Sequence, residues 1–382
     1  MVRRLAERVA SLKPSATVEM TERVRAARAS GRQIIPLSSG DPNIETDARI
    51  IAAAERAMRA GETHYGPAQG LPALRDAIVA REAVRSGVRY DPADIIVTPG
   101  GKFALLTALM GVVESGDEVL VPEPGWVSYG PCVRLCGGIP VALSMLDTID
   151  EELLERRVSP RTKALILNSP VNPTGRVFSA EEIDRVVGFA ERHDLWIVFD
   201  QVYSDLLHEG RFPAAQSVPG AKERVLVVDS LSKTFGMTGW RIGYLALPKG
   251  TAKPILRFIQ HSIYCVPGFI QSAAIEALSL YDELVPGYRR MFRHRLDLAA
   301  ERLSAVDGIT CRRPEATFYL FPSVAADDVE VAHRWLETID VATLPGSSFG
   351  PAGAGHLRLS LTCSETDLDE ALDRIARVGV AA

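Results

Sequence analysis

The stretch RVLVVDSLSKTFGMTGWRIGY (224–244) has two unlike halves. Its first half, RVLVVDS, is a near-continuous apolar run, the signature of a strand buried on both faces of a largely parallel sheet. The second half cannot continue that strand. It sets Lys233 among two serines and three glycines, with Arg241 eight residues on. A solvated surface loop has no use for so constrained a run. In open parallel sheets, ligands bind beyond the carboxyl ends of the strands, so the polar residues there report on chemistry.

The flanking sequence supplies more strands of the same kind: DIIVTPGG (94–101), DEVLVPEP (117–124), TKALILNSP (162–170) and LWIVFDQVY (195–203). Helical segments alternate with them. Apolar residues recur at helical spacing from Asp47 to Ala60, where Gly61 stops the run. LPALRDAIVAREAVRSG (71–87) has Pro72 in its first turn and Gly87 at its end, and FALLTALMGVVE (103–114) is an apolar helix. In SAEEIDRVVGFAERHD (179–194), Ser179 and Glu182 match a capping box. This alternation predicts a three-layer α/β domain. After about residue 280 the texture changes. A charged helix, PGYRRMFRHRLDLAAERLSA (286–305), leads into strand-like GITCRRPEATFYLFPS (308–323) and HLRLSLTCS (356–364). DVEVAHRWLETID (328–340) and ETDLDEALDRIARVG (365–379) supply further helices. The expected division is a large domain over 43–280 and a smaller α+β domain built from 1–42 with 281–382.

With 382 residues, 47 % of them hydrophobic, the chain buries a sizeable core. Its net charge of −5 gives no reason to expect a nucleic-acid or anionic-membrane partner, although local basic sites for small anions remain open. The five cysteines are odd in number and scattered, which fits reduced thiols in a cytoplasm. Cys132 and Cys136 are the only close pair, and nothing near them completes a metal set, so no metal is expected. The N-terminal MVRRLAERVASLKPS lacks a signal-peptide core, and no stretch reaches the roughly 20 apolar residues of a membrane span. A cytoplasmic protein is expected.

Five strand ends deliver unusual residues: GGK (100–102), PGW (124–126), NSPVNPTG (168–175), DQVY (200–203) and SLSK (230–233). Gly100 and Gly101 open a helix, where free N–H groups approach an anion closely; a simple tight turn reads equally well. Ser230 and Arg241 are suited to phosphate oxygens, against a surface ion pair for Arg241. Asp200 ends an apolar strand, and a buried carboxylate needs a cation such as a protonated ring nitrogen, or a helix to cap. Tyr203 and Trp126 read either as packing or as groups facing an aromatic ligand. Asn172 either donates a hydrogen bond or closes a turn. Lys233, partly desolvated at a strand end, becomes a nucleophilic amine that forms imines with aldehydes. Imine-forming lysine, carboxylate for a ring nitrogen, anion cup and aromatic lid together describe a pyridoxal phosphate (PLP) site.

On these residues the chain resembles the class I/II aminotransferases, fold-type I PLP enzymes, and most of all the prokaryotic aspartate and aromatic branch. The likeness runs from LSSGDPN near residue 40 to HLRLSLTCS near 360. It implies a mostly parallel seven-stranded sheet in the large domain. Lys233 would hold PLP through its amine and shuttle the proton between the substrate α-carbon and C4′. Asp200 would pair with the pyridine nitrogen, Tyr203 and Asn172 would bind the phenolic oxygen, and Trp126 would cover the ring. Gly101, Lys102, Ser230 and Arg241 would bind the phosphate, the first two through backbone N–H groups. Tyr65 would reach it from the neighbouring subunit of a homodimer. Arg358 would clamp the substrate carboxylate beside Gly40.

Two positions depart from the family pattern: Gln201 stands where it usually has Glu, and Phe103 where it often has Gln. The segment matching the side-chain pocket, SIYCVPG (262–268), holds no arginine. A ping-pong aminotransferase not dedicated to aspartate is therefore the expectation, and the excess of arginine over lysine hints at a biosynthetic role. The alternatives are PLP-dependent β- or γ-elimination, replacement or cyclisation, and a PLP-sensing domain of a transcription regulator.

Overall fold

The computed structural model describes residues 5–380. Seven strands form its central sheet: β1 (Ile95–Thr98), β2 (Glu118–Glu123), β3 (Ile139–Ser144), β4 (Thr162–Asn168), β5 (Trp196–Asp200), β6 (Val225–Ser230) and β7 (Gly243–Ala246). Their order is β1-β7-β6-β5-β4-β2-β3. Every neighbouring pair is parallel except the two that β7 makes. This is the mostly parallel seven-stranded sheet that the resemblance implies.

The apolar runs arise because both faces of the sheet are covered. Leu165, Leu167, Ile197, Phe199, Val225 and Val227 feed one core. The alternate residues Ala164, Ile166, Val198, Leu226 and Val228 feed another on the opposite face. Each large aliphatic side chain so buried contributes about 1.5–3 kcal/mol. A one-residue slip would exchange every side chain between the two cores, so register is tightly held.

Two strands escape the periodicity. β3 opens with exposed Ile139 followed by Pro140, at the sheet edge where one side of the backbone needs no partner. β7 is four residues long and begins with a glycine.

The helices follow their punctuation. Asp47 caps the helix Ala48–Arg59 by accepting from the Arg49 N–H at 2.8 Å. We label as α1 the helix Ala16–Ala29, α2 Pro72–Ser86, α3 Gly101–Val112, α4 Tyr129–Leu135 and α5 Ala180–Arg192. α2 has its proline in the first turn and ends on Gly87 at φ 75°. Both halves of the Ser179–Glu182 capping box are formed at the start of α5.

A further core, with Leu37, Leu303, Trp335, Leu359 and Leu372, lies among α6 (Tyr281–Ser304), α7 (Asp328–Ile339) and α8 (Glu365–Val378). A small antiparallel sheet of β8 (Tyr319–Leu320), β10 (Leu357–Ser360) and β9 (Leu344–Pro345), in that order, flanks it. The N-terminal segment joins this part of the molecule, where Ile35–Pro36 pairs in parallel with Val341–Ala342. The stretch 308–323, expected as strand, is broken into two-residue pieces. Pro314 and Pro322 lack ladder donors, and Thr317 adopts φ 70°. Among the described residues no helix is long and apolar enough to cross a membrane.

Candidate active site

The carboxyl ends of β1, β2, β4, β5 and β6 converge on a cavity of about 410 Å³. Gly40 of the N-terminal segment and Arg358 of β10 complete it from the side of the third core. Every residue given a role at the PLP site by the resemblance lines this cavity except Tyr65. That side chain is 86 % exposed and stacks edge-on against Tyr264, with ring centroids 4.9 Å apart.

Lys233 sits on a single helical turn, Leu231–Thr234, capped by the Ser230 hydroxyl, which accepts from the Ser232 N–H at 3.2 Å. Its ammonium donates to the Gly40 carbonyl oxygen at 2.5 Å. Desolvation lowers its pKa to about 8, with the charge of Asp41 opposing the fall and those of Arg358 and Arg241 adding to it. An amine so placed is partly neutral near physiological pH, as a nucleophile must be.

Asp200 is 3 % exposed at the end of β5. Its Oδ2 accepts from the Tyr129 hydroxyl at 2.8 Å and its Oδ1 from the Val202 N–H at 3.2 Å. Burial raises its pKa to about 6 although the Tyr129 hydrogen bond works the other way. No cation of the described residues forms an ion pair with it. A cationic group of a ligand would remove most of the cost of burying it.

Tyr203, Asn172 and Arg358 form a connected set. Asn172 Nδ2 donates to the Tyr203 hydroxyl oxygen at 3.4 Å, and Arg358 Nη1 donates to Asn172 Oδ1 at 3.2 Å. The hydroxyls of Tyr203 and Tyr319 lie 3.0 Å apart. Arg358, 1 % exposed, donates through Nη2 to the Ser38 carbonyl at 2.6 Å, and its guanidinium carbon lies 4.6 Å from the Tyr319 ring centroid. Burial lowers its pKa, while Tyr319 and Tyr203 oppose that fall. No acid among the described residues forms an ion pair with it, so the cavity presents a buried cation suited to a carboxylate.

An anion cradle lies at the start of α3. Gly100 has φ 89°, and a Cβ there would meet Arg241 Nη2 at 2.8 Å. Arg241 itself adopts left-handed φ 55°, a conformation that bulky residues seldom hold without a reason. Among the described residues its guanidinium donates to carbonyls alone, those of Thr238 at 2.7 Å and Pro99 at 3.4 Å. The first N–H groups of α3, those of Gly101 and Lys102, have no partner within the helix. A phosphate fits this set of donors. Together with the amine of Lys233 and the carboxylate of Asp200, the cradle matches the phosphate, aldehyde and ring nitrogen of PLP.

Trp126 packs edge-on against Tyr129, at 5.5 Å and 87°. The Lys102 side chain also faces the cavity, its Nζ 5.0 Å from the Trp126 ring centroid. Sequence reasoning gave this lysine only a backbone role. It also missed Tyr129, Tyr319 and the α1 residues Thr17, Val18 and Thr21, all of which line the cavity. The tyrosines lie inside apolar runs where packing is the default reading, and α1 lies far from the strand ends in sequence.

Comparison with known proteins agrees with this geometry. The family described as aminotransferase class I and II matches residues 32–375. The aspartate aminotransferase of Geobacillus stearothermophilus is 39 % identical over 388 residues, covering 98 % of each chain. The aspartate/prephenate aminotransferase of Thermus thermophilus is 38 % identical over 387 residues, covering 99 % of each. A solved structure of Thermus thermophilus aspartate aminotransferase with maleate superposes with a TM-score of 0.94 at 38 % identity, over 99 % of this chain and 100 % of that one. The chain belongs to the class I and II aminotransferases and is a pyridoxal-phosphate-dependent aminotransferase.

Proposed function

We propose that this aminotransferase takes acidic amino acids and 2-oxo acids without being dedicated to aspartate, and that its residues act as follows. Bound PLP supplies the electron sink that makes the substrate α-proton labile. Lys233 would hold the cofactor through its amine and would serve as the acid and base that moves the proton of the substrate α-carbon. Asp200 keeps the ring nitrogen protonated, Tyr203 and Asn172 orient the phenolic oxygen, and Trp126 covers the ring. Gly101, Lys102, Ser230 and Arg241 hold the phosphate. Arg358 takes the α-carboxylate beside Gly40, and Arg358 carries this reading: it is a buried guanidinium in the same cavity as the lysine, with no acid paired to it.

For the side chain of the substrate, Lys102 offers the cation that SIYCVPG lacks, and Thr17 and Thr21 line the same cavity with hydroxyls. Trp126 and Val18 add apolar surface, which suits substrates larger than aspartate. The names of the Thermus and Geobacillus relatives, covering aspartate alone and aspartate with prephenate, accord with such a range.

The division into 43–280 and 1–42 with 281–382 places Gly40 and Arg358 on one body and Lys233 on the other, so closure would exclude water from the reacting atoms. Residues 1–4 and 381–382 lie outside the described part. Tyr65, turned outward, would serve the site of a second copy in a cytoplasmic homodimer. A donor screen with acidic, aromatic, aliphatic and basic amino acids and 2-oxoglutarate tests the proposal. Preferred transfer from acidic and aromatic donors is expected. Release of ammonia or pyruvate without an acceptor, or exclusive use of aspartate, would overturn it.

A further inference from the structure

One residue back along β6 from Ser230, a second polar cluster lies behind the strand ends. Glu82 and Gln201 have no exposed surface, and Asp229 is 3 % exposed. Glu82 Oε1 and Asp229 Oδ2 take the same three donors. Arg85 Nη1 reaches them at 2.7 and 2.5 Å, Gln201 Nε2 at 2.9 and 3.2 Å, and the Tyr244 hydroxyl at 2.7 and 3.0 Å.

Counting hydrogens shows what this requires. Arg85 Nη1 and Gln201 Nε2 carry two N–H bonds each and serve both oxygens. The Tyr244 hydroxyl carries one hydrogen, yet its oxygen lies within hydrogen-bond distance of both carboxylates. Arg85 Nη1 donates to that hydroxyl oxygen at 3.2 Å, the hydroxyl hydrogen points along one of the two carboxylate contacts, and a hydrogen on a carboxyl group would satisfy the other. We propose that Glu82 and Asp229 hold one proton between them at neutral pH, and that this protonated pair positions the ends of β5 and β6 that carry Asp200 and Lys233.

Among the described residues the surroundings leave the pair no further cation. Arg85 Nη2 is taken by Asp205 at 2.7 Å, and Asp205 also engages Arg81 at 2.7 Å, the Tyr281 hydroxyl at 2.8 Å and the Thr234 hydroxyl at 3.0 Å. Arg289 donates to the Asp205 carbonyl at 2.5 Å. Gln216 Nε2 donates to Glu82 Oε2 at 3.2 Å and to Gln201 Oε1 at 3.0 Å. Tyr90, a neutral phenol, also feels the charge of Glu82. Burial, followed by the charges of Asp205 and Glu82, raises the pKa of Asp229 to about 7 against the pull of Arg85.

The link to the site is direct. Asp229 Oδ1 accepts the Ser230 N–H at 2.6 Å, and Gln201 follows Asp200 in the chain. A glutamate at 201 would remove both amide hydrogens and add a third acid. The neutral Gln201, a departure from the family pattern, is what lets Glu82 and Asp229 share one site.

The test compares the wild type with Glu82→Gln and Gln201→Glu. The folded state keeps the shared proton up to about 7, whereas the unfolded chain loses it near the ordinary 3.8 of Asp229, so wild-type stability falls as pH climbs between those values and levels off above them. The wild type should show the infrared carbonyl band of a buried carboxylic acid below about 7, and its thermal midpoint should drop as the pH is raised between those values. Glu82→Gln should lose both the band and the drop, whereas Gln201→Glu, which takes away two donors and adds an acid, should keep the band and extend the drop to higher pH. Cofactor retention by the loaded wild type should weaken by up to about tenfold per pH unit above the step. A merely structural contact would shift the midpoint equally at every pH. If Glu82→Gln does not fold, Asp229→Asn replaces it with the same expectation. A wild type with neither band nor step, or a folded Glu82→Gln or Asp229→Asn variant that keeps both, overturns the proposal.

Discussion

The Tyr129 hydroxyl donates to Oδ2 of Asp200 at 2.8 Å, from a helix that starts three residues after Trp126. The residue covering the cavity and the residue holding the buried carboxylate are thereby fixed by one short segment. Tyr129 is 1 % exposed, so its hydroxyl has no water to turn to.

Tyr129→Phe should leave Asp200 less able to hold its charge. A hydrogen bond to a charged group contributes about 1.5–3 kcal/mol, so PLP should bind at least about tenfold more weakly. Equilibrium dialysis against the cofactor checks this, and unchanged affinity would remove Tyr129 from the site's machinery.

Gly40 faces Tyr319 so closely that an added Cβ would overlap its hydroxyl oxygen while lying 3.6 Å from the carbon behind it. Gly40→Ala should therefore raise KM for the amino acid by about tenfold or more, a steric penalty of about 1–3 kcal/mol. The double variant Gly40→Ala/Tyr319→Phe should recover most of that loss, because the remaining contact is ordinary van der Waals distance. Steady-state kinetics of the two variants, with Tyr319→Phe as control, decide the point.

Arg358→Lys keeps a positive charge but loses the fork that a carboxylate matches in two places. Transition-state binding should fall by about 2–5 kcal/mol, read as a drop in kcat/KM for every donor alike. A change confined to acidic donors would instead place Arg358 at the substrate side chain.

The cofactor-free protein should capture PLP faster as pH rises through about 8, where Lys233 loses its proton. Stability carries the same sign. The folded pKa of Lys233 lies below its ordinary 10.5, so the unfolded chain binds more protons between about 8 and 10.5, and this lysine's contribution rises with pH there. Asp200 acts oppositely: raised from 3.8 to about 6, it lowers stability as pH climbs between those values. Stopped-flow capture and urea midpoints in Lys233→Met and Asp200→Asn should show each slope vanish separately.

How much could be read in advance follows from what each residue does. β4, β5 and β6 are legible because both faces are buried, which forces continuous apolar sequence. β3 is not, since an edge strand carries no such demand, and β7, although buried between β1 and β6, is only four residues long and opens on a glycine. Lys233, Asp200 and Arg241 stand out because polar or glycine-rich residues interrupt apolar texture at strand ends. Tyr129 and Tyr319 continue that texture and act through a single hydroxyl each. Glu82 looks like any charge on a helix until the fold places it against Asp229.

The antiparallel course of β7 has one more consequence. Ser230 and Gly243 are paired neighbours, so the chain between them leaves and rejoins the sheet at the same end of adjacent strands, with Lys233 and Arg241 on the same closed loop. Surface loops usually absorb insertions readily. This one cannot, because adding or removing a residue would displace the amine relative to the guanidinium. Among the glycine-rich connections of the molecule, it should be the least tolerant of changes in length.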